Sequence, residues 1–89
     1  CKLDLNANYI VKLEQSIFSA SIQWLTLWYN ELEYIGEDVL KPLSNLTYFD
    51  LSLNKFKQFP TEIYKVKSSL IQLNLGENSI AFLWNDMFQ

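Results

Sequence analysis

Histidine and arginine are both absent from this chain of 89 residues, and cysteine occurs only once, as Cys1. Without histidine there is no imidazole base, no His-based triad and none of the commonest nitrogen metal ligand. A single thiol cannot build a zinc cluster. Cys1 is either a free thiol or half of a pair whose other member lies elsewhere. Glycine is almost as scarce: Gly36 and Gly76 are the only two and lie far apart, so no glycine-rich loop cradles a phosphate. The lack of arginine and a net charge of −3 leave no basic stripe. A nucleic-acid or anionic-membrane partner is therefore not expected. No apolar run is long enough to span a bilayer. These absences point away from an enzyme, a metal site or a cofactor, and toward a protein that works by contact.

What the chain has in abundance is repetition. The template L-x-x-L-x-L-x-x-N-x-L is met by Ile22, Leu25, Leu27, Asn30 and Leu32. It returns as Leu46, Phe49, Leu51, Asn54 and Phe56, and again as Leu70, Leu73, Leu75, Asn78 and Ile80. A first copy, cut at its leading edge, reads Leu3, Leu5, Asn8 and Ile10. Ile22, Leu46 and Leu70 follow one another at 24 residues, whereas Leu3 to Leu25 spans 22. A fixed period in this range signals a solenoid in which each repeat stacks on its neighbours.

The alternation of Leu25 with Leu27, and of Leu73 with Leu75, is the period-two signature of a strand. One strand per repeat cannot pair with itself. Its backbone groups need the equivalent strands of adjacent repeats, about 4.8 Å away, which predicts a short-stranded parallel sheet. Behind each strand comes another apolar slot, Leu13, Ile35, Phe59 or Leu83. An apolar pair follows it: Ile17-Phe18, Val39-Leu40, Ile63-Tyr64 or Met87-Phe88. Leu43 fills the last slot of the second repeat, and Lys67 in the equivalent place predicts poorer packing behind the third.

Asn8, Asn30, Asn54 and Asn78 recur in register with the leucine columns, where the chain must turn. An asparagine side chain carries two donors and an acceptor on a short stem. Stacked inside, the four predict a ladder that satisfies turn backbone groups of neighbouring repeats. Solvent-facing turn asparagines are the alternative.

These motifs, with Pro60 directly after Phe59, resemble the leucine-rich repeat family in its "typical" 24-residue subclass, over essentially the whole chain. The resemblance implies an α/β solenoid. A short parallel β-sheet would line the concave side, with turns and short 3-10 or irregular segments on the convex side. One unit of four repeats is expected, 1–21, 22–45, 46–69 and 70–89. It reads as truncated at both ends and lacking caps, which leaves open end-to-end self-association.

In this family the outward face of the sheet is the usual protein-binding surface. The residues expected to carry contact there are Trp24, Thr26, Trp28, Tyr29, Tyr48, Asp50, Leu53 and Gln72. Trp24 and Tyr48 share a column, so their rings are expected to touch. Exposed aromatics of this kind dominate protein–protein hot spots, although cross-strand aromatic pairs also simply stabilise sheets. Asp4 and Asp50 share another column, but Thr26 separates them by about 10 Å at strand spacing, which argues against a catalytic acid pair. Glu31 with Lys55, and Glu33 with Lys57, occupy equivalent slots and are expected to face each other as ion pairs.

Asn45-Leu46-Thr47 is a glycosylation sequon, although the Asn, Ser and Thr content makes about one such triplet expected by chance. The resemblance thus implies a protein-recognition module, similar to pieces of Toll-like receptor or secreted immune ectodomains and placed outside the cell or on its surface. An intracellular scaffold, the substrate-recognition arm of a multidomain protein, and a structural spacer are the alternatives.

Overall fold

A computed structural model describes residues 1–14 and 18–78. Four three-residue strands, β1 (Lys2–Asp4), β2 (Trp24–Thr26), β3 (Tyr48–Asp50) and β4 (Gln72–Asn74), lie side by side in sequence order. All three pairings are parallel, and the register aligns Leu3, Leu25, Phe49 and Leu73 in one column. The template therefore sets both the strands and their register, because any slip would lift this column off the core.

The core is densest in the middle repeats. Leu25, Leu27, Leu32, Leu46, Phe49, Leu51 and Phe56 are fully buried, while Leu3, Leu5, Leu70 and Leu75 are only partly so. Each middle repeat is covered on two sides, and each outer one on one side among the described residues.

Behind the sheet the described backbone is irregular apart from a 3-10 helix, Thr61–Val66. Val39, Leu40 and Leu43 close the second repeat, and Phe18 is buried in the first. The third differs from expectation. Lys67 is exposed, and the 3-10 helix turns Ile63 and Val66 inward together, three residues apart and so on one face. Val66 does the work expected of position 67. Ile17, Ile80, Leu83, Met87 and Phe88 lie outside the described residues.

Gly36 has a role that its scarcity did not announce. Leu13 and Ile35 form a parallel bridge behind the sheet, and the Gly36 N–H donates to the Leu13 carbonyl at 2.6 Å. A Cβ at Gly36 would stand 2.8 Å from that oxygen and 2.9 Å from the Glu14 Cα. Two backbones approach here too closely for any side chain.

The asparagine ladder is formed by three rungs. Asn30 donates from Nδ2 to the Leu5 and Leu27 carbonyls, both at 3.0 Å, and its Oδ1 accepts the N–H groups of Asn8 and Ile10. Asn54 donates to Leu27 and Leu51 and accepts from Leu32. Asn78 donates to Leu51 and Leu75 and accepts from Phe56. Every rung reaches back onto the repeat before it. Asn8, in the first copy, has no such target among the described residues, and its side chain is exposed rather than a fourth rung.

To bring the asparagine inward the chain turns sharply just before it. Ala7, Tyr29, Leu53 and Glu77 all have φ between 57° and 60°. For a non-glycine residue this left-handed region costs roughly 1–2 kcal/mol. Replacing Asn54 with Leu is expected to strand the Leu32 N–H and to leave the Leu27 and Leu51 carbonyls with one asparagine donor each, Asn30 and Asn78. The loss is ~1–3 kcal/mol, and an unchanged melting temperature would refute the structural role of the rung.

Candidate functional site

The outward face of the sheet carries two columns. The first reads Lys2, Trp24, Tyr48 and Gln72; the second reads Asp4, Thr26, Asp50 and Asn74. Trp24 and Tyr48 stack with ring centroids 4.4 Å apart and planes 20° from parallel. The Lys2 ammonium sits 4.4 Å from the Trp24 ring centroid, which adds a cation–π contact at the open end of the stack.

At its far edge Tyr48 is tethered. Its hydroxyl donates to Asp50 Oδ2 at 3.3 Å and accepts from Asn74 Nδ2 at 3.0 Å. Partial burial first, then the negative charge of Asp50, raises the Tyr48 pKa above the usual tyrosine value. Asp50 holds its place by accepting the Ser52 N–H on Oδ1 at 2.9 Å, as Asp4 does for Asn6.

Thr26 breaks this second column. The Thr26 hydroxyl does not accept the N–H two residues on as those aspartates do, and the Trp28 N–H donates instead to Asn6 Oδ1 at 2.7 Å. Thr26 was expected to carry contact, but it is buried at 5% exposure with no hydrogen-bond partner for its hydroxyl. The Tyr48 ring runs along its strand toward Asp50, and the Trp24 ring lies parallel to it.

The remaining expected residues fall into two groups. Trp24 and Gln72 are exposed, and Tyr48 and Asp50 half-buried, on the sheet itself. Trp28 and Tyr29 stand beyond it, 41% and 56% exposed, with rings 5.7 Å apart. Leu53, half-buried, takes the same left-handed position as Tyr29 one repeat on. Lys2, Asn6 and Asn74 were missed. Lys2 and Asn74 share columns with Trp24 and Asp50, and that register was the available signal. Nothing in the template marked Asn6.

Neither Glu31–Lys55 nor Glu33–Lys57 closes into an ion pair. The pairs among the described residues are Lys12–Glu14, Lys41–Asp38 and Lys65–Glu62, at 4.0, 3.9 and 2.8 Å. Asn45 is exposed and donates from Nδ2 to the Ala20 carbonyl at 3.0 Å. The Thr47 hydroxyl donates to the Gln23 carbonyl at 2.9 Å. Among the described residues no cluster of three or more acidic or cysteine side chains is placed to hold a metal ion.

A leucine-rich repeat family model matches residues 2–56, which spans the first two strands, their turns and the whole of β3. The chain belongs to the leucine-rich repeat family. It is similar to human Toll-like receptor 8, at 32% identity over 90 aligned positions. That alignment takes in 90% of this chain but only 9% of the receptor. No solved structure shows a significant match. No helix among the described residues is long and apolar enough to cross a membrane.

The tethered Tyr48 yields a pH dependence with a definite sign. A raised folded pKa means the network's contribution is complete below the ordinary tyrosine value of 10.0 and is lost as pH rises through the folded value. Tyr48→Phe is expected to be less stable than wild type by ~1 kcal/mol near neutrality. In thermal melts taken from about pH 8 to about pH 11, the gap between the two narrows above pH 10.

Proposed function

We propose that this chain is a protein-recognition module that binds a protein partner through the outward face of its sheet, and that it has no enzymatic activity of its own. The observation that carries this is the aromatic surface: the Trp24–Tyr48 stack continues into exposed Trp28 and Tyr29. Such rings supply large contact area at low entropic cost, and they are the side chains that dominate hot spots. The scaffold beneath them is preformed. The Tyr48 tether and the asparagine rungs hold the surface before a partner arrives, so binding requires little rearrangement.

We further propose an extracellular or cell-surface setting, in a longer protein similar to a Toll-like receptor. The exposed sequon asparagine supports it: Asn45 Nδ2 carries two hydrogens and gives one to Ala20, which leaves the other for a glycan. An intracellular scaffold is the competing assignment.

Two measurements test these proposals. Against a panel of purified secreted proteins, Trp24→Ser with Trp28→Ser is expected to lose about a hundredfold in affinity for any partner that wild type binds. Its melting should stay within ~1 kcal/mol of wild type. Full affinity in the double variant would move the interface off this face. For the parent protein from its native source, treatment with a glycan-removing enzyme is expected to lower the mass, and Asn45→Gln to abolish that step. An unmodified Asn45 would favour the intracellular assignment.

A further inference from the structure

Just past the C-terminal ends of the strands, a groove runs across the repeats with Asn30 and Asn54 at its floor. One wall is the row directly before the ladder asparagines, Tyr29, Leu53 and Glu77. The other is the row directly after them, Tyr9, Glu31 and Lys55. The space between is about 290 Å³. That falls just short of the roughly 300–1,000 Å³ of small-molecule pockets, and suits one long side chain.

Three observations converge on this groove. First, the left-handed positions of its first wall favour glycine or asparagine, yet Tyr29 and Leu53 place bulk there, and Tyr29 stays 56% exposed. Second, Tyr9 is a local irregularity. It has φ 58°, while its counterparts Glu31 and Lys55 do not enter that region, and it is 77% exposed. The backbone thus holds an aromatic ring in water at the rim of the groove, at a cost that no burial of Tyr9 offsets. Third, Glu31, Lys55 and Glu77 form no ion pair with one another or with any other described residue, although Glu31 and Lys55 occupy equivalent slots. Two carboxylates against one ammonium leave the groove net negative.

We propose that this groove seats an arginine or lysine side chain from an extended segment of the protein partner, its cation over the Tyr9 and Tyr29 rings and against the Glu31 carboxylate. Aromatic faces and a carboxylate together favour a cation over any neutral or acidic group. The chain already uses the same chemistry on itself, where Lys2 caps the Trp24 ring. Lys55, one repeat on, then faces the carbonyl or carboxylate groups flanking the basic residue. This inference rests on the sheet-side contact proposed above and adds the partner's chemistry to it.

A random peptide library displayed on phage, selected against the wild-type chain, tests both layers separately. Peptides enriched in arginine or lysine are expected. They should bind Glu31→Gln and Tyr9→Ala about tenfold more weakly, a loss of ~1.4 kcal/mol, and weaken as salt rises. Both substitutions are at exposed positions, and matched melting curves confirm that the fold is kept. Enriched peptides with no basic residue, sensitive to Trp24→Ser with Trp28→Ser but not to Glu31→Gln, would overturn the cation assignment and leave the sheet-face interface standing. Peptides insensitive to both sets, or the absence of any basic motif, would also overturn it. Insensitivity to both removes the sheet-face interface as well.

Discussion

Among the described residues, the middle repeats satisfy their turns only together with their neighbours. Leu27 shows the dependence most directly: its carbonyl accepts from Asn30 within its repeat and from Asn54 in the next. Leu51 is served in the same way by Asn54 and Asn78. Asn54 also accepts the buried Leu32 N–H of the repeat before it, and a buried donor left without an acceptor costs about 1–3 kcal/mol, so removing one rung damages two repeats. The strands impose the same condition, since a three-residue strand has partners only in its neighbours. Stability is therefore a property of the stack: among the described residues the template leucines of the middle repeats are fully buried and those of the outer ones mostly only partly so.

That constraint also shapes the outward face. The register that stacks the leucines places Lys2, Trp24 and Tyr48 in one line, and the rings settle into a single stack. Tyr48 adds a hydrogen-bonded anchor at Asp50 and Asn74. Beyond the sheet, Trp28 and Tyr29 touch each other but lack any comparable anchor among the described residues. The face thus has a fixed half and a freer half. The freer half borders the groove, where the backbone accepts left-handed conformations to hold bulky side chains outward.

Much of this was legible in advance because repetition converts sequence position into spatial position. Leu25, Phe49 and Leu73 had to align, and so did Trp24 with Tyr48. What stayed illegible depended on where side chains go once aligned. Thr26 has an outward slot beside the Trp24–Tyr48 stack but is buried, which its place in the pattern did not indicate. Asn8 fits the ladder template but has no earlier repeat to reach among the described residues. Val66 replaces position 67 because a 3-10 helix, not a loop, follows Pro60. Glu31 and Lys55 share a slot without pairing, since equal register fixes backbones and leaves long, solvated side chains free.

The amino-acid sequence by itself determined the period, the parallel order of the strands, the column of Leu25, Phe49 and Leu73 beneath them and the asparagine positions. Each of these follows from local residue type multiplied by a repeat. Only the tertiary structure decided which outward residues are accessible, which asparagine is left out of the ladder, and that Gly36 marks a close backbone crossing. It also decided that Tyr9, Tyr29 and Glu31 surround one groove. The physical reason is that pattern fixes the direction of a side chain, whereas cover, contact and open space depend on the atoms of the neighbouring repeats.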